Sequence, residues 1–146
     1  MVCLCCYGFT QKAIAQHQIE RGSLYLQLPQ ECSIRQTDSE ITAQKTAWAV
    51  SVKTWKQKIK ISDFEQQTLR MLKNLNLEHS EPLKKIVLKG YFAFLIEGKR
   101  RNVEVSLYAL YDRQQPEHFF MVFAQTPDTK HHTAAVLESI LKKDSR

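Results

Sequence analysis

The sequence contains few of the residues that interrupt a folded chain. Its 146 residues include only four glycines and four prolines, and no internal repeat, low-complexity tract or Gly/Ser linker follows Gln16. A chain of this length has the usual size of one domain and can bury a core without disulfide or metal support. We therefore predict a single domain over residues 19–141, followed by a polar tail at 142–146.

The motifs of the common enzyme classes are also absent. The sequence has no glycine-rich phosphate loop, no nucleophile elbow and no His-Glu-x-x-His zinc motif. Glu97 and Glu104 lie on strands that we expect to pair, where a cross-strand charge ladder explains them more simply than acid/base catalysis. Neighbouring His131 and His132 would point about 100° apart on a helix, and isolated histidines such as His118 are predicted to be polar surface residues. We therefore predict no enzymatic activity, no catalytic residue, no metal site and no cofactor.

Cysteine is too unevenly placed to form a disulfide framework. Cys3, Cys5 and Cys6 lie in the first six residues, and only Cys32 lies in the body of the chain. Close neighbours cannot pair without strain, and adjacent Cys5 and Cys6 lack the two-residue spacing of a zinc knuckle. We predict that Cys32 is a buried or idle thiol.

No apolar run reaches the roughly 20 residues that are needed to span a bilayer, so no transmembrane segment is expected. The apolar stretch at 2–9 and the small-x-small sequence Ala13-Ile14-Ala15 have features of a secretory signal. Three alternatives stay open for residues 1–16: a secretory signal, a frayed segment of a cytosolic protein, or a lipid-anchored cysteine. The first predicts a periplasmic or secreted protein, and the second predicts a cytoplasmic one.

Strand patterns are the strongest signal that the sequence does contain. Apolar residues alternate with others over 24–28 and 46–55, and in the second segment Trp48, Val50 and Val52 are predicted to face the core. A nearly continuous run of strand signals extends over 90–125. Gly98 and Asn102 suit left-handed positions in a turn within that run. Short turns between strands require antiparallel pairing.

Two amphipathic helices bracket the long run of strands. Ser62-Asp63-Phe64-Glu65 has the form of a capping box, and Thr126-Pro127-Asp128 is typical of a second helix start. Large apolar residues on both faces of the strands over 91–124 indicate a sheet that is covered on both sides. The sequence therefore predicts an α+β fold with an antiparallel sheet of five to six strands sandwiched between two helices. The predicted order is strand, strand, helix, three or four strands, helix.

This pattern resembles the PsbP/Mog1/DcrB group. The resemblance covers residues 24–141 and is one of element order and apolar pattern. It depends on Leu24-Tyr25-Leu26-Gln27-Leu28-Pro29, the strand Trp48–Trp55, the helix from Ser62, Gly90-Tyr91-Phe92-Ala93 and the closing Ala135-Val136-Leu137-Glu138-Ser139-Ile140-Leu141. The resemblance implies an α/β/α sandwich used mostly for binding partners, and it transfers no functional residue. The group includes extracytoplasmic bacterial lipoproteins, a photosystem extrinsic protein and a nuclear-transport factor.

Basic residues are the best candidates for a binding site in this chain of net charge +6. Lys56 and Lys58 follow the second strand, and Lys99, Arg100 and Arg101 lie at the tip of the central hairpin. If these loops gather at one end of the sheet, they form a patch that meets a protein partner or another anionic surface. Solvation of strand ends is the alternative explanation of the same charges. We predict a non-enzymatic binding or adaptor domain that contacts a macromolecular partner through these five residues, without specific nucleic-acid recognition.

Two other functions stay open. The first is a small-ligand carrier with an aromatic cleft, whose candidate residues are Tyr108, Tyr111, Phe119, Phe120 and Phe123. Aromatic residues at strand spacing are more typical of a core. The second is a cytosolic secretion chaperone, although such chaperones are usually acidic and dimeric.

Overall fold

The structure is a computed structural model that describes residues 18–114 and 117–143. The α-helices of these residues are α1 (Ile61–Asn74) and α2 (Lys130–Ser139), and a short 3-10 helix at Pro127–Thr129 precedes α2. Within the described residues the strands are β1 (Gln18–Arg21), β2 (Leu24–Gln27), β3 (Ser33–Gln36), β4 (Glu40–Lys45), β5 (Trp48–Trp55), β6 (His79–Ser80), β7 (Lys84–Leu88), β8 (Tyr91–Arg100), β9 (Val103–Tyr111), β10 (His118–Gln125) and β11 (Leu141–Lys142). The segment 1–16, for which a signal was considered, lies outside the described residues.

The strands form two antiparallel sheets. The large sheet has the order β3-β4-β5-β10-β9-β8-β6, and β7 also pairs with β8, while the small sheet has the order β1-β2-β11. The α+β class and the antiparallel pairing are confirmed, but the predicted number of five to six strands is wrong. The predicted element order is wrong as well, because in the described part of the chain five strands precede α1 and one strand follows α2. The missed strands are short or mostly polar, so they lack a clear apolar alternation.

The two faces of the large sheet are covered differently. On one face, here called the α1 face, Phe64 of α1 packs with Phe94, Leu107 and Phe120. On the other, the α2 face, Val136 and the leucines of β2 pack against β5 and β10. The predicted inward residues of β5 belong to this second core and are about 2% exposed: Trp48, Val50 and Val52.

Helix α1 covers only part of its face. It lies over β8, β9 and β10, whereas Ala49, Ser51 and Lys53 of β5 stay partly exposed on the same face. The helix begins at Ile61 after Lys60, which makes no side-chain capping bond. The predicted capping box at Ser62 is therefore wrong, since Ser62 already lies within the first turn.

A buried polar cluster joins the small sheet to the large one. Lys142 of β11 forms an ion pair with the fully buried Asp112, with a distance of 2.9 Å between Nζ and Oδ1. Beside it, the hydroxyls of Tyr91 and Ser23 are hydrogen-bonded at 2.9 Å. Burial, opposed in part by the Ser23 bond, raises the pKa of Tyr91 to about 12. Lys142, placed in the tail by the sequence analysis, thus belongs to the fold.

The central hairpin is longer than the sequence suggests. β8 continues through Gly98 to Arg100, and the positive φ of the turn falls on Arg101, at 57°, instead of on Gly98 or Asn102. Gly98 has a different role, because a Cβ at this position would lie 2.6 Å from Leu77 Cδ1 and would also meet the His79 carbonyl oxygen. The absent side chain lets the segment with β6 approach β8 closely.

Candidate functional site

The five predicted binding residues lie at two opposite ends of the large sheet. β5 ends at Trp55, which is paired with His118 at the start of β10, so Lys56 and Lys58 leave the sheet at that end. The β8–β9 turn lies at the other end, because Lys99 pairs with Glu104. Glu104 of β9 pairs with Gln125 of β10, which in turn pairs with Trp48, the first residue of β5.

The two basic groups are therefore far apart. Trp48 and Trp55 are seven residues apart, which corresponds to about 23 Å along a strand. The prediction that the basic loops gather at one end is wrong, because the strand register places the end of β5 and the β8–β9 turn at opposite ends of the sheet. Whether either group binds a partner stays a prediction. Lys99, Arg100 and Arg101 do lie together at the hairpin tip.

A groove lies under this tip on the α1 face. It has a volume of about 400 Å³. We call it the tip groove. Arg100 and Arg101 border it, and its apolar lining consists of Leu75, Leu77, Val103, Val105, Val122 and Ala124. The groove exists because α1 ends at Asn74, before it reaches the far end of β9 and β10.

Small side chains make the floor of the tip groove low. Ala124 of β10 is paired with Ala49 on one side and with Val105 on the other. Leu77, Val103 and Val122 are partly exposed around this floor. The surface is thus aliphatic and accessible, which is typical of a site that buries apolar side chains of a partner.

The two arginines beside the groove carry charge that no carboxylate neutralises within the part of the chain that the structure describes. The ion pairs there involve His79, Lys130, Lys142 and Lys143. Arg100 and Arg101 are exposed. Arg101 also adopts a left-handed conformation, which costs a residue with a side chain about 1 kcal/mol relative to glycine.

A second cavity lies on the α2 face of the same hairpin, with a volume of about 430 Å³. We call it the α2 cleft. Its wall contains the ion pair between Lys130 and Glu104, 3.1 Å long, and Glu104 also lies opposite Lys99 on the paired strand. Glu104 therefore has the cross-strand basic neighbour that the charge ladder predicted, whereas Glu97 lies opposite Ser106. Burial, with the nearby Glu97 carboxylate, raises the pKa of Tyr108, another residue of the cleft.

The aromatic cleft proposed from the sequence does not form among these described residues. Phe119, Phe120 and Phe123 are at most 1% exposed and lie in the core. Phe119 and Phe120 even point to opposite faces, as neighbours in a strand must. The Tyr111 hydroxyl donates to the Ile59 carbonyl oxygen at 2.8 Å. Of the five aromatic residues predicted to form the cleft, Tyr108 alone lines the α2 cleft.

His118 is a buried residue that the sequence analysis placed on the surface. Its ring is stacked on Trp55 at 5.7 Å between centroids and makes edge contacts with Phe64 and Phe120. Neither ring nitrogen has a hydrogen-bond partner among the described residues. Burial lowers the pKa of His118, and the Gln57 backbone, outside hydrogen-bond geometry, offsets only part of this effect.

The remaining candidates form no chemical centre in the described part of the chain. Residues 18–114 and 117–143 hold no group of three or more His, Cys, Asp or Glu side chains that could bind a metal ion. Cys32 is partly buried, and burial raises the pKa of its thiol. Cys3, Cys5 and Cys6 lie outside the described residues. Within those same residues, neither helix is long and apolar enough to cross a membrane.

Comparisons with known proteins bear on the fold alone. No protein-family model matches the chain, and no curated protein matches it. The chain is similar to a crystal structure from Bacteroides thetaiotaomicron VPI-5482, with a TM-score of 0.57 and 6% sequence identity. The match covers 88% of this chain and 49% of the other, so this chain spans about half the length of that protein. At such low identity, a shared fold does not imply a shared function. The resemblance to the PsbP/Mog1/DcrB group stays a prediction.

Proposed function

We propose that the protein is a non-enzymatic binding domain that docks an acidic and apolar segment of another protein in the tip groove. The observation that carries the proposal is the combination of an accessible aliphatic floor with two unneutralised arginines at its border. A segment that fits must bring aliphatic side chains for the floor and carboxylates for Arg100 and Arg101. Lys56 and Lys58, at the other end of the sheet, do not belong to this site.

The floor and the arginines contribute in different ways. Burial of apolar surface contributes affinity, at roughly 25 cal/mol for each Å² removed from water, less the cost of association. Exposed guanidinium groups orient carboxylates through paired hydrogen bonds and increase the rate of encounter. Because the floor is aliphatic, it offers no stacking platform for bases, which favours a protein segment over a nucleic acid.

The conformation of Arg101 supports a role in recognition. Glycine or asparagine would occupy a left-handed position at lower cost, and strained residues are concentrated at binding sites. The strain at Arg101 therefore favours a function for its side chain over a purely structural turn.

A location outside the cytoplasm, predicted from residues 1–16, belongs to the same proposal. N-terminal sequencing of the native protein from fractionated cells would test it.

The binding proposal can be tested with displayed random peptides. Selection on the purified protein should enrich peptides that combine Asp or Glu with Leu, Ile or Val. The affinity of an enriched peptide would then be measured by fluorescence anisotropy at several salt concentrations. The double variant Arg100→Glu and Arg101→Glu should bind at least about 10-fold more weakly, and its binding should depend less on salt.

A matched control is available at the opposite end of the sheet. The double variant Lys56→Glu and Lys58→Glu changes the net charge equally, but about 23 Å away, where physiological salt screens it. It should leave peptide affinity within about twofold. Equal loss in both double variants would show a general charge effect and would refute the site. Selection of peptides without carboxylates would refute the assigned chemistry.

A further inference from the structure

The α2 cleft has a charge distribution that the tip groove lacks. At one end of the cleft, Lys130 Nζ lies 3.1 Å from Glu104 Oε2, and Lys99 is the residue opposite Glu104 on the paired strand. This end therefore carries one excess positive charge. Two residues earlier along β8, Glu97 also borders the cleft, and no cation of the described residues forms an ion pair with it.

The exposed edge of the cleft carries a further carboxylate, that of Glu81, whose backbone nitrogen donates to the Glu97 carbonyl oxygen. His79 and Glu81 border the cleft and lie close to each other, with Nε2 and Oε1 3.4 Å apart. Successive positions on one face of a strand are about 7 Å apart. Glu97 and Lys99 thus leave the cleft face of β8 from backbone positions about 7 Å apart, with the cation nearer the hairpin tip.

Polar side chains that lie deep in the cleft are a second, independent observation. Ser106 lies opposite Glu97, is 6% exposed and lines the cleft. Its hydroxyl makes no hydrogen bond to any described residue. Gln125, 3% exposed, also lines the cleft, and its amide oxygen accepts a hydrogen bond from Thr133. That bond leaves the Gln125 amide nitrogen as a donor on the floor. The Ser106 oxygen is not among the fully buried unpaired atoms of the described residues, so its hydroxyl is open to the cleft and available to a ligand.

Another part of the lining consists of aliphatic and aromatic groups. Leu137 and Ala134 of α2 border the cleft, and Tyr108 is opposite them on the sheet. Such surfaces suit an apolar side chain of a small molecule. A volume of about 430 Å³ is within the range of small-molecule sites.

We infer that the α2 cleft binds a free α-amino acid with an apolar side chain. Its ammonium group pairs with Glu97 and donates to the Ser106 hydroxyl, and its carboxylate meets Lys99 and the Gln125 amide nitrogen. In an amino acid the nitrogen and the carboxyl carbon are about 2.5 Å apart. Two charge-assisted hydrogen bonds of about 2.8 Å extend this span to about 8 Å, which is comparable with the backbone spacing of about 7 Å between Glu97 and Lys99.

Calorimetry with three related probes tests the inference. L-leucine carries both charges, L-leucinamide lacks the carboxylate, and N-acetyl-L-leucine lacks the ammonium group. Wild-type protein should bind leucine in the micromolar to millimolar range and each single-charge probe at least about 10-fold more weakly. Absence of leucine binding up to tens of millimolar, or equal binding of leucinamide, would overturn the inference.

Single substitutions test whether leucine binds in the α2 cleft. Glu97 is exposed, so Glu97→Gln should fold normally and should weaken leucine binding by about 10-fold, as should Ser106→Ala. Arg100→Glu, on the α1 face, should leave leucine binding unchanged. Because Arg100→Glu reports on the tip groove and Glu97→Gln on the cleft, failure of one site is distinguishable from failure of the other. Unchanged leucine affinity in Glu97→Gln would refute the assigned ammonium contact.

Discussion

Replacement of His118 by phenylalanine should stabilise the protein. The imidazole is fully buried among Trp55, Phe64 and Phe120, and both of its nitrogens lack partners among the described residues. A buried polar group without a hydrogen bond costs about 1–3 kcal/mol, and an apolar ring of similar shape avoids that cost. We therefore expect His118→Phe to raise the free energy of unfolding at pH 7.5 by about 1–3 kcal/mol.

The same replacement should change how stability depends on pH. Burial lowers the pKa of His118 below 6.5, the ordinary value that the unfolded chain retains. The unfolded state therefore binds the proton first as pH falls below about 6.5, and the folded state loses stability until its own lower pKa is reached. The slope for one such group is at most about 1.4 kcal/mol per pH unit. This loss of stability at acidic pH should be absent from His118→Phe.

Urea denaturation followed by circular dichroism between pH 7.5 and pH 5 measures both effects. His118→Leu is a second variant, needed because the larger phenylalanine ring can strain a packed site. His79→Phe is the matched control, since the His79 side chain is 70% exposed and its replacement should change stability by less than about 0.5 kcal/mol. If both His118 variants are less stable than wild type and keep its acid-dependent loss, the account of this histidine is wrong.

Three further predictions concern the rest of the fold. Lys142→Ala leaves the buried Asp112 carboxylate without its cation and should cost about 3–5 kcal/mol in urea denaturation. Adding Asp112→Asn should recover part of that loss, and no recovery would contradict the ion-pair argument. Arg101→Gly relieves a positive φ and should raise the melting temperature slightly while it weakens peptide binding; a lower melting temperature would contradict strain at this turn. Gly98→Ala places a Cβ against Leu77 and should cost about 1–3 kcal/mol, and an unchanged denaturation midpoint would show that β6 moves aside freely.

The sequence was informative where one face of a strand is buried. The alternation of Trp48, Val50 and Val52 correctly predicted which side of β5 faces the core. The same period of two places His118 on the face of Phe120 and so in the core, although histidine is more often a surface residue. Pattern analysis of apolar residues is most reliable for such central strands.

The sequence pattern does not predict the edge strands or the distance between the two basic loops. β3 is an edge strand whose residues are mostly exposed, and β6 consists of two residues that are held against Gly98. Neither segment has an apolar pattern to detect. The separation of Lys56 from Arg100 likewise depends on strand register, which pairs residues far apart along the chain. Charge composition alone does not specify which loops share an end of a sheet.

The small sheet has a consequence for how the chain folds as it is made. Its central strand, β2, pairs with β1 beside it and with β11, more than a hundred residues later. A ribosome therefore releases β2 long before the strand that completes its hydrogen bonds exists. Until Leu141 and Lys142 emerge, the leucines of β2 lack their last neighbour, and a nascent chain in that interval exposes an edge to which chaperones or other chains can bind.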